Sequence, residues 1–488
     1  MKLKFLVLLA IILTACSGNK DAGSQNEIND YDDLVGYKVA VINGSMQDIE
    51  LSKRGDLNLL RLTSPAELLA AVESGRADYC VEDSTSCIGA HIGQRGIKIE
   101  FCNNLGEGGR VALGFRKEHT ELCRQFNEFL SEIKANGVYS EINARWMTDD
   151  AESSRVPELP LPTEGEPIRV GMINSFPTGF ISSDGFAGFE IEMMERFSCY
   201  VGRPVEFICY DFNALSASLM TGKVDVIACF LFITSERAEK MLFSDVYYVS
   251  KTACFGMDNN AEKSKGTFLA TIKDSFRSNL IVEDRWKLIT DGLWETVVIS
   301  FFAIIFGILV GILLCLMRMS QKPFIWKPAK ALIDIMQGIP ILVFLMIMFY
   351  IIFASSHTSA RVVAIIAFAI NFGAYVSEVF RSGIMSIDKG QTEAGLAMGF
   401  GKVQTFSLFV APQALKKMIP VFKSETISLI KNTSIVGYIA IQDLTKASDI
   451  IRSRTFDAFF PLIIVSIIYF ILAWLLGKGL DRVSKLIK

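Results

Sequence analysis

A short polar segment between two strongly apolar stretches carries a distinctive spacing of small residues, one glutamate and one proline. In chain order these residues are Glu393-Ala394-Gly395, Gly399 and Ala411-Pro412. Small side chains three or four residues apart share one face of a helix, where a second protein can approach the backbone closely. The Glu393 carboxylate adds a group that can pair with a cation. This chemistry suits docking of a partner, and no catalytic residue is predicted.

The chain after about residue 290 is dominated by apolar runs. They lie at about 294–317, 338–354, 362–380 and 458–477, with a weaker run at about 426–443. Runs of this length predict about five membrane spans, although Lys431 interrupts the weaker one. Lysine and arginine concentrate in the connections 318–330 and 381–425 and in the C-terminal tail. Five spans place all three on one side, and their charge predicts that this side is cytoplasmic.

The N-terminus has the pattern of an export signal. Lys2 and Lys4 precede an apolar run that ends in Leu13-Thr-Ala-Cys16, which resembles a bacterial lipobox. We expect residues 1–15 to be removed as a signal peptide, Cys16 to be lipidated, and residues 16–32 to form a tether. An ordinary cleaved signal or an uncleaved anchor is the alternative. Export of the part that follows agrees with the predicted topology.

Composition narrows the partners and the chemistry. The 488 residues carry a formal net charge of -3 and lack the basic stripe expected of a nucleic-acid-binding protein. The ten cysteines include no CxxC or metal-type spacing, so no metal or cofactor is predicted and disulfide pairing is left open. The phosphate-cradling pattern G-x-x-x-x-G-K-[ST] is absent from the sequence.

Two segments before the membrane part alternate strand-like and helical patterns. Residues 33–150 and 168–256 both do so, and the stretch 151–167 between them is rich in proline and glutamate. The alternation predicts βαβ units and a mainly parallel sheet in each of two lobes. We therefore assign 151–167 and 257–290 as linkers and 291–488 as the membrane domain.

Both segments resemble the amino-acid-type periplasmic solute-binding proteins of family 3. In the second segment the matching runs are Ile168–Gly171, Gly188–Glu192, Asp211–Leu215, Gly222–Ile227, Ile233–Arg237 and Phe243–Tyr248. In the first segment they are Leu34–Val41, Gly44–Met46, Gly75–Asp78, Asp83, Gly114–Lys117 and Gly137–Trp146. The resemblance implies a two-lobed α/β domain in circularly permuted order, with lobe 2 and a return segment before lobe 1. Two degenerate half-domains are the alternative.

The same resemblance implies a cleft for a small polar solute and favours an amino acid. The ligand-binding residues that it implies are Arg237, Asp83, Phe176, Phe212, Thr234 and Ser45. Arg237 would clamp the carboxylate, Asp83 would take the ammonium group, and the two phenylalanines would form walls. Without the resemblance, Arg237 would be a surface helix charge and Asp83 a strand-end cap.

Three residues depart from the pattern of that family. Phe230 and Phe232 stand where relatives present small or hydroxyl residues, and Met46 replaces a hydroxyl residue. The run at 176–180 also differs from the usual aromatic-Pro-Pro-aromatic pattern. An atypical or more apolar ligand is therefore an alternative to a common amino acid, and so is a loss of high affinity.

The membrane part resembles the polar-amino-acid permeases of ABC importers. The matching runs are Asp291–Thr296, Gln337–Val343, Gly373–Gly383, Lys389–Ala394 and Lys431–Ser434. The resemblance identifies Glu393, Ala394, Gly395, Gly399 and Pro412 as the family's coupling motif, within a cytoplasmic coupling loop at 381–425. Ala411 replaces a leucine of that motif.

The sequence thus predicts an α/β periplasmic-binding-protein-like domain followed by an all-α transmembrane importer permease domain. The chain would pair as a homodimer in the bacterial inner membrane and recruit a separate ABC ATPase. A ligand-gated ion channel is the alternative, since glutamate-receptor channels join this binding fold to a pore. Thr433–Tyr438 is similar to a potassium filter, but Ile439 follows it. A chemosensory receptor would need an output domain that this sequence does not show.

Overall fold

The computed structural model describes residues 28–88, 92–105, 109–148, 154–182, 185–258, 273–354, 358–457 and 459–486. The predicted signal peptide and Cys16 lie outside the described residues. The strands are, in chain order, β1 (Lys38–Ile42), β2 (Asn58–Leu62), β3 (Tyr79–Asp83), β4 (Ile97–Asn103), β5 (Gly109–Val111), β6 (Gly114–Phe115), β7 (Ile168–Met172), β8 (Phe180–Ser182), β9 (Gly185–Ala187), β10 (Val205–Cys209), β11 (Val226–Ile227), β12 (Leu242–Phe243), β13 (Tyr248–Ser250) and β14 (Thr252–Met257).

Two five-stranded sheets form the two lobes. The sheet of lobe 2 has the order β2-β1-β3-β14-β4, and that of lobe 1 has the order β10-β7-β11-β6-β12. Each sheet takes strands from both sides of the linker 151–167, because β14 joins lobe 2 and β6 joins lobe 1. The two sheets are mixed rather than mainly parallel, since these crossing strands pair antiparallel with their neighbours.

Helices cover the sheets. They are α1 (Met46–Arg54), α2 (Pro65–Glu73), α3 (Thr120–Ala135), α4 (Val138–Trp146), α5 (Phe189–Val201), α6 (Phe212–Met220) and α7 (Ser235–Ala238). Ser45 begins α1, because its hydroxyl accepts a hydrogen bond from the Asp48 N–H at 3.1 Å, and Ser64 caps α2 ahead of Pro65. Residues of α3 and α4 pack into lobe 1, where the buried Trp146 indole donates to Glu192 at 2.8 Å.

The membrane domain is helical. Its helices are α8 (Trp286–Arg318), α9 (Pro323–Gly338), α10 (Ile341–Ile347), α11 (Ala360–Met385), α12 (Lys389–Ala397), α13 (Lys402–Thr405), α14 (Ala411–Asn432), α15 (Leu444–Thr455) and α16 (Phe460–Leu486). Within the described part of the chain, α8, α11 and α16 are long and apolar enough to span a membrane. The pair Pro323–Gly338 and Ile341–Ile352 qualifies as a fourth span, bent by 111°.

One end of this helical domain contacts the lobes. Lys446 of α15 pairs with Asp211 of lobe 1, and Lys223 of lobe 1 donates to the Phe353 carbonyl just before α11. The start of α8 lies at the same end, since the Leu444 N–H donates to the Thr296 hydroxyl at 3.2 Å.

The opposite end holds the C-termini of α8 and α11. Arg318 at the end of α8 pairs with Glu378 at 3.2 Å, and Lys417 of α14 donates to the Ser386 carbonyl at 2.8 Å. The chain therefore passes between the two ends five times, by α8, the bent α9–α10 pair, α11, α14 and α16. The 33 residues of α8 extend about 50 Å, enough to cross a bilayer.

The weaker of the predicted spans, the fourth in chain order at about 426–443, is not a continuous apolar helix in the structure. That stretch holds the C-terminal part of α14 and a 3-10 turn at Thr433–Ile439, and the fourth passage is made by α14, which begins at Ala411. Helix α14 is not among the apolar candidates because lysines recur along it, at Lys416, Lys417, Lys423 and Lys431.

Glycines allow α8 and α11 to pack closely. A Cβ on Gly307 would stand 2.7 Å from the Phe372 ring, and a Cβ on Gly373 would stand 2.7 Å from Val310. Small residues at such contacts are the usual basis of helix association in a membrane. Helices α8 and α11 therefore form the closely packed centre of the membrane domain.

Candidate functional site

A cavity of about 540 Å³ lies between the two lobes and extends to the membrane domain. Its wall is built from three parts: lobe 2, lobe 1, and the region of the membrane domain around α15. The membrane domain contributes, among others, Met346, Ser434, Gly437, Tyr438, Lys446 and Arg452. A volume of this size lies within the range of small-molecule sites.

Five of the six predicted ligand residues line this cavity. They are Arg237, Asp83, Phe176, Phe212 and Ser45. Thr234 is not among the lining residues; it is the N-cap of α7, where its hydroxyl accepts a hydrogen bond from the Arg237 N–H at 3.3 Å. Three residues that depart from the family pattern, Met46, Phe230 and Phe232, also lie in the wall.

Arg237 reaches across the cleft. Its guanidinium donates to the Phe232 carbonyl of its own lobe at 3.0 Å and to the Gly44 carbonyl of lobe 2 at 3.3 Å. The Phe212 ring lies 5.4 Å from the guanidinium carbon, close enough for a cation–π contact. Backbone carbonyls are neutral acceptors, so a ligand carboxylate is a stronger partner for the same N–H groups.

Among the described residues, Asp83 has one oxygen with hydrogen-bond partners and one buried oxygen without a partner. Its Oδ1 accepts hydrogen bonds from the N–H and the hydroxyl of Thr85, so the side chain caps the turn after β3. Its Oδ2 has no hydrogen-bond partner within the described ranges. Burial raises the pKa of this carboxyl, because the ionised form loses solvation there.

Phe176 and Phe180 form an aromatic pair that a membrane-domain residue covers. The Arg454 guanidinium lies 4.8 Å from the Phe176 ring and 4.0 Å from the Phe180 ring. The same guanidinium pairs with Glu283, just before α8, at 2.7 Å. Arg454 thus links the predicted ligand wall to the residues just before α8.

Helix α15 contacts both lobes. Arg452 pairs with Glu67 of lobe 2 at 3.2 Å, whereas Lys446 pairs with Asp211 of lobe 1. The Asn174 amide of lobe 1 also donates to the Ser453 hydroxyl. This helix therefore joins the membrane domain to both sides of the cleft.

The predicted coupling segment lies at the opposite end of the membrane domain. Glu393 and Ala394 are exposed on α12. Gly399 follows the end of this helix and has a φ of +89°, a left-handed conformation that glycine favours. Gly395 instead packs inward, because a Cβ there would stand 2.5 Å from the Thr405 methyl. Pro412 lies in the first turn of α14. Exposed apolar side chains surround α12; they include Leu396, Met398, Val403 and Phe406.

Comparison with known proteins concerns the membrane domain. Residues 303–485 match the family of binding-protein-dependent transport system inner membrane components. A protein of Rickettsia bellii named as a glutamine transport system permease is 35% identical over 194 residues, or 39% of this chain and 88% of that protein. The chain belongs to this family.

Two further proteins are similar to the membrane domain. The L-cystine transport system permease of Bacillus subtilis is 33% identical over 202 residues, covering 41% of this chain and 86% of that permease. A crystal structure of an amino acid ABC transporter with histidines is 32% identical, covering 45% of this chain and 99% of that chain, with a TM-score of 0.39. The Rickettsia and Bacillus relatives are named as transport permeases, and they give the ion-channel alternative no support.

Sequence reasoning missed the contribution of the permease domain to the cavity. Lys446, Arg452 and Arg454 occur in a short segment between two apolar regions, and nothing in their spacing indicates a partner. Their partners Asp211, Glu67 and Glu283 are 171 to 385 residues away in the chain. The available signal was a charged amphipathic helix at the non-cytoplasmic end of the predicted spans.

A buried carboxyl behind the cleft predicts a pH-dependent stability. Glu190 accepts hydrogen bonds from the Phe230 N–H and the Tyr247 hydroxyl, and burial raises its pKa from 4.5 to about 7. The folded state then binds more protons than the unfolded state between these values, so stability falls as pH rises through that window. The loss attributable to Glu190 is on the order of 3 kcal/mol.

We expect Glu190→Gln to remove the part of the pH-dependent loss of stability that is due to Glu190. Thermal unfolding of the detergent-solubilised chain, followed by intrinsic fluorescence from pH 5 to 8, measures it. The midpoint of the parent protein should fall across this range, and that of Glu190→Gln should fall less. Equal declines would show that the carboxyl does not titrate in this window.

Proposed function

We propose that this chain is the membrane subunit of an ABC importer that carries its own binding domain, with an amino acid as the transported solute. The observation that carries the proposal is the shared cavity: both lobes and the membrane domain line it. Arg237 and Asp83 stand in its wall as a cation and an anion, the pair that a zwitterion needs. The relatives named for glutamine and cystine transport support an amino-acid solute.

We infer that the lobes face the extracytoplasmic side and α12 faces the cytoplasm. The five passes put the lobes and α12 at opposite ends. The lysine-rich connections lie at the α12 end, as expected for the cytoplasmic side of an inner-membrane protein. Lipidation of Cys16 would attach the exported domain to the membrane at a second point.

We infer that an ABC ATPase binds the segment from α12 to α13. Its support is the exposed Glu393 beside exposed apolar side chains such as Met398 and Val403, a combination typical of an interface. Pairing of two chains around the translocation path would cover part of the apolar surface of α8, which exposes Phe301, Phe306 and Leu309.

We also propose that the binding domain is one permuted domain rather than two half-domains. Its support is the mixing of strands, since β14 completes lobe 2 after the whole of lobe 1 has been formed. A half-domain would instead keep its strands within one segment. The linker 151–167 then joins the ends of an ancestral order.

The proposal is tested in proteoliposomes that contain the full chain and candidate ABC ATPases. We expect amino acid outside the vesicle to stimulate ATP hydrolysis. Glu393→Lys should lower this stimulation at least tenfold while solute binding stays, because the lobes lie at the other end of the domain. Glu132→Lys, an exposed reversal on α3, is the matched control.

Two outcomes would contradict the proposal. Unchanged stimulation in Glu393→Lys would remove the coupling role of α12. An ion current that the solute evokes without nucleotide would favour the channel alternative.

A further inference from the structure

The charges that line the cavity do not balance within the protein. Its carboxylates are Glu67, Glu82, Asp83, Asp211, Asp443 and Asp449, and its cations are Arg237, Lys446 and Arg452. Arg452 pairs with Glu67 and with Asp449, and Lys446 pairs with Asp211. The wall therefore carries more carboxylates than its own cations can neutralise.

Asp443 is satisfied without a cation. It caps α15, where its carboxylate accepts hydrogen bonds from the Thr445 and Lys446 N–H groups at 3.0 and 3.1 Å. The Tyr469 hydroxyl donates to it as well, at 3.1 Å. In the part of the chain that the structure describes, this leaves Glu82 and Asp83 as lining carboxylates without an ion-pair partner.

Glu82 would have no partner on an amino acid whose only charged groups are its α-carboxylate and α-ammonium. A zwitterionic ligand accounts for Arg237 and Asp83 by its carboxylate and its ammonium group. Glu82 is 9% exposed, and its Oε2 has no hydrogen-bond partner among the described residues. Burial raises the pKa of this carboxyl to about 8, so nothing on the protein stabilises its ionised form enough to offset the desolvation.

A buried amide in the same wall also lacks a hydrogen-bond partner among the residues that the structure describes. Gln47, 1% exposed and also in the wall, has an Nε2 without a hydrogen-bond partner in the described structure. Buried polar groups without partners are costly, so three of them in the lobe 2 part of the wall point to groups that the ligand supplies. Asp83 Oδ2 is the third.

Resting on the proposed function, we propose that the transported solute is an amino acid whose side chain ends in a cation, held by Glu82. The α-carboxylate contacts Arg237, the α-ammonium contacts Asp83, and the side-chain cation contacts Glu82. A side-chain cation stabilises the ionised form of Glu82 and so offsets its desolvation, whereas a side-chain amide offers only a hydrogen bond. A side-chain carboxylate would place a further acidic group beside two buried carboxyls that lack a cation in the described part of the protein.

Titration calorimetry on the full chain in lipid nanodiscs tests the proposal with L-lysine, L-arginine, L-glutamine and L-glutamate. We expect lysine or arginine to bind at least tenfold more tightly than glutamine and glutamate. Glu82→Gln should reduce this preference tenfold or more, and Glu82→Asp should retain it. The exposed Glu132→Gln is the control for removal of a carboxylate that does not line the cavity.

The outcomes separate this proposal from the one on which it rests. Tighter binding of glutamine or glutamate, lost in Arg237→Ala, would overturn the cationic side chain and leave the importer of amino acids standing. A preference for lysine that persists unchanged in a folded Glu82→Gln would overturn the role of Glu82. Failure of all four amino acids to bind would overturn both proposals.

Discussion

Arg237→Ala is expected to abolish high-affinity binding of the solute, with a loss of roughly 100-fold or more. Removing one partner from a buried, hydrogen-bonded charge pair costs about 2–5 kcal/mol, or roughly 30-fold to several-thousand-fold in affinity, and the expected loss lies within that range. In the structure the guanidinium is held in place by the Phe232 and Gly44 carbonyls and by the Phe212 ring. It is thus positioned before the ligand arrives, and its N–H groups point to neutral acceptors that a carboxylate can displace.

Calorimetry on the full chain in nanodiscs measures this loss. Arg124→Ala is the matched control, because Arg124 is an exposed residue of α3 that pairs with Glu121 and Glu128. Arg237→Lys separates charge from geometry, since lysine keeps the positive charge but cannot form a bidentate pair. Undiminished affinity in Arg237→Ala would show that the ligand does not present a carboxylate to this residue.

The architecture was predictable because it follows from patterns within short stretches of the sequence. Alternating patterns in 33–150 and 168–256 predict two α/β lobes, and apolar runs predict the helical domain; the structure and the family assignment confirm this fold class. The strand directions were less predictable. Strands β6 and β14 cross between lobes, and the direction in which a crossing strand pairs depends on contacts far apart in the chain.

The cavity wall was predictable where it is formed by the lobes and not where it is formed by the membrane domain. Arg237 and Asp83 were named by resemblance to binding proteins and do line the cavity. Thr234 is instead the N-cap residue of α7, a structural role that threonine often has at the start of a helix. The wall formed by α15 depends on docking of the lobes against the membrane domain, which no local pattern encodes.

Lys446→Asp, which reverses the charge of one partner in the Lys446–Asp211 pair, is expected to undock lobe 1 from the membrane domain. Adding Asp211→Lys, which exchanges the two charges, is expected to restore docking. Lys446 is 8% exposed and has Asp443 and Asp449 in the same wall, so Lys446→Asp sets a carboxylate against Asp211 and adds to the acidic groups around it. The cost of breaking a fully buried pair is about 3–5 kcal/mol. Because the Asp211 side chain is 42% exposed, we expect about 1.5 kcal/mol here, or roughly tenfold faster opening.

Hydrogen–deuterium exchange of the full chain in nanodiscs measures this opening without a ligand. Lys446→Asp should raise exchange in β10, α6 and α15 and leave α8 and α11 unchanged, which shows that the membrane domain is folded. The double variant Lys446→Asp with Asp211→Lys should return exchange toward that of the parent protein. Lys240→Glu, at an exposed pair with Glu236, is the control for reversal of a lysine on lobe 1. If the double variant exchanges as fast as Lys446→Asp, the two side chains do not act as a pair. Docking of lobe 1 then depends on its other contacts, among them those of Asn174, Lys223 and the Phe176–Phe180 pair.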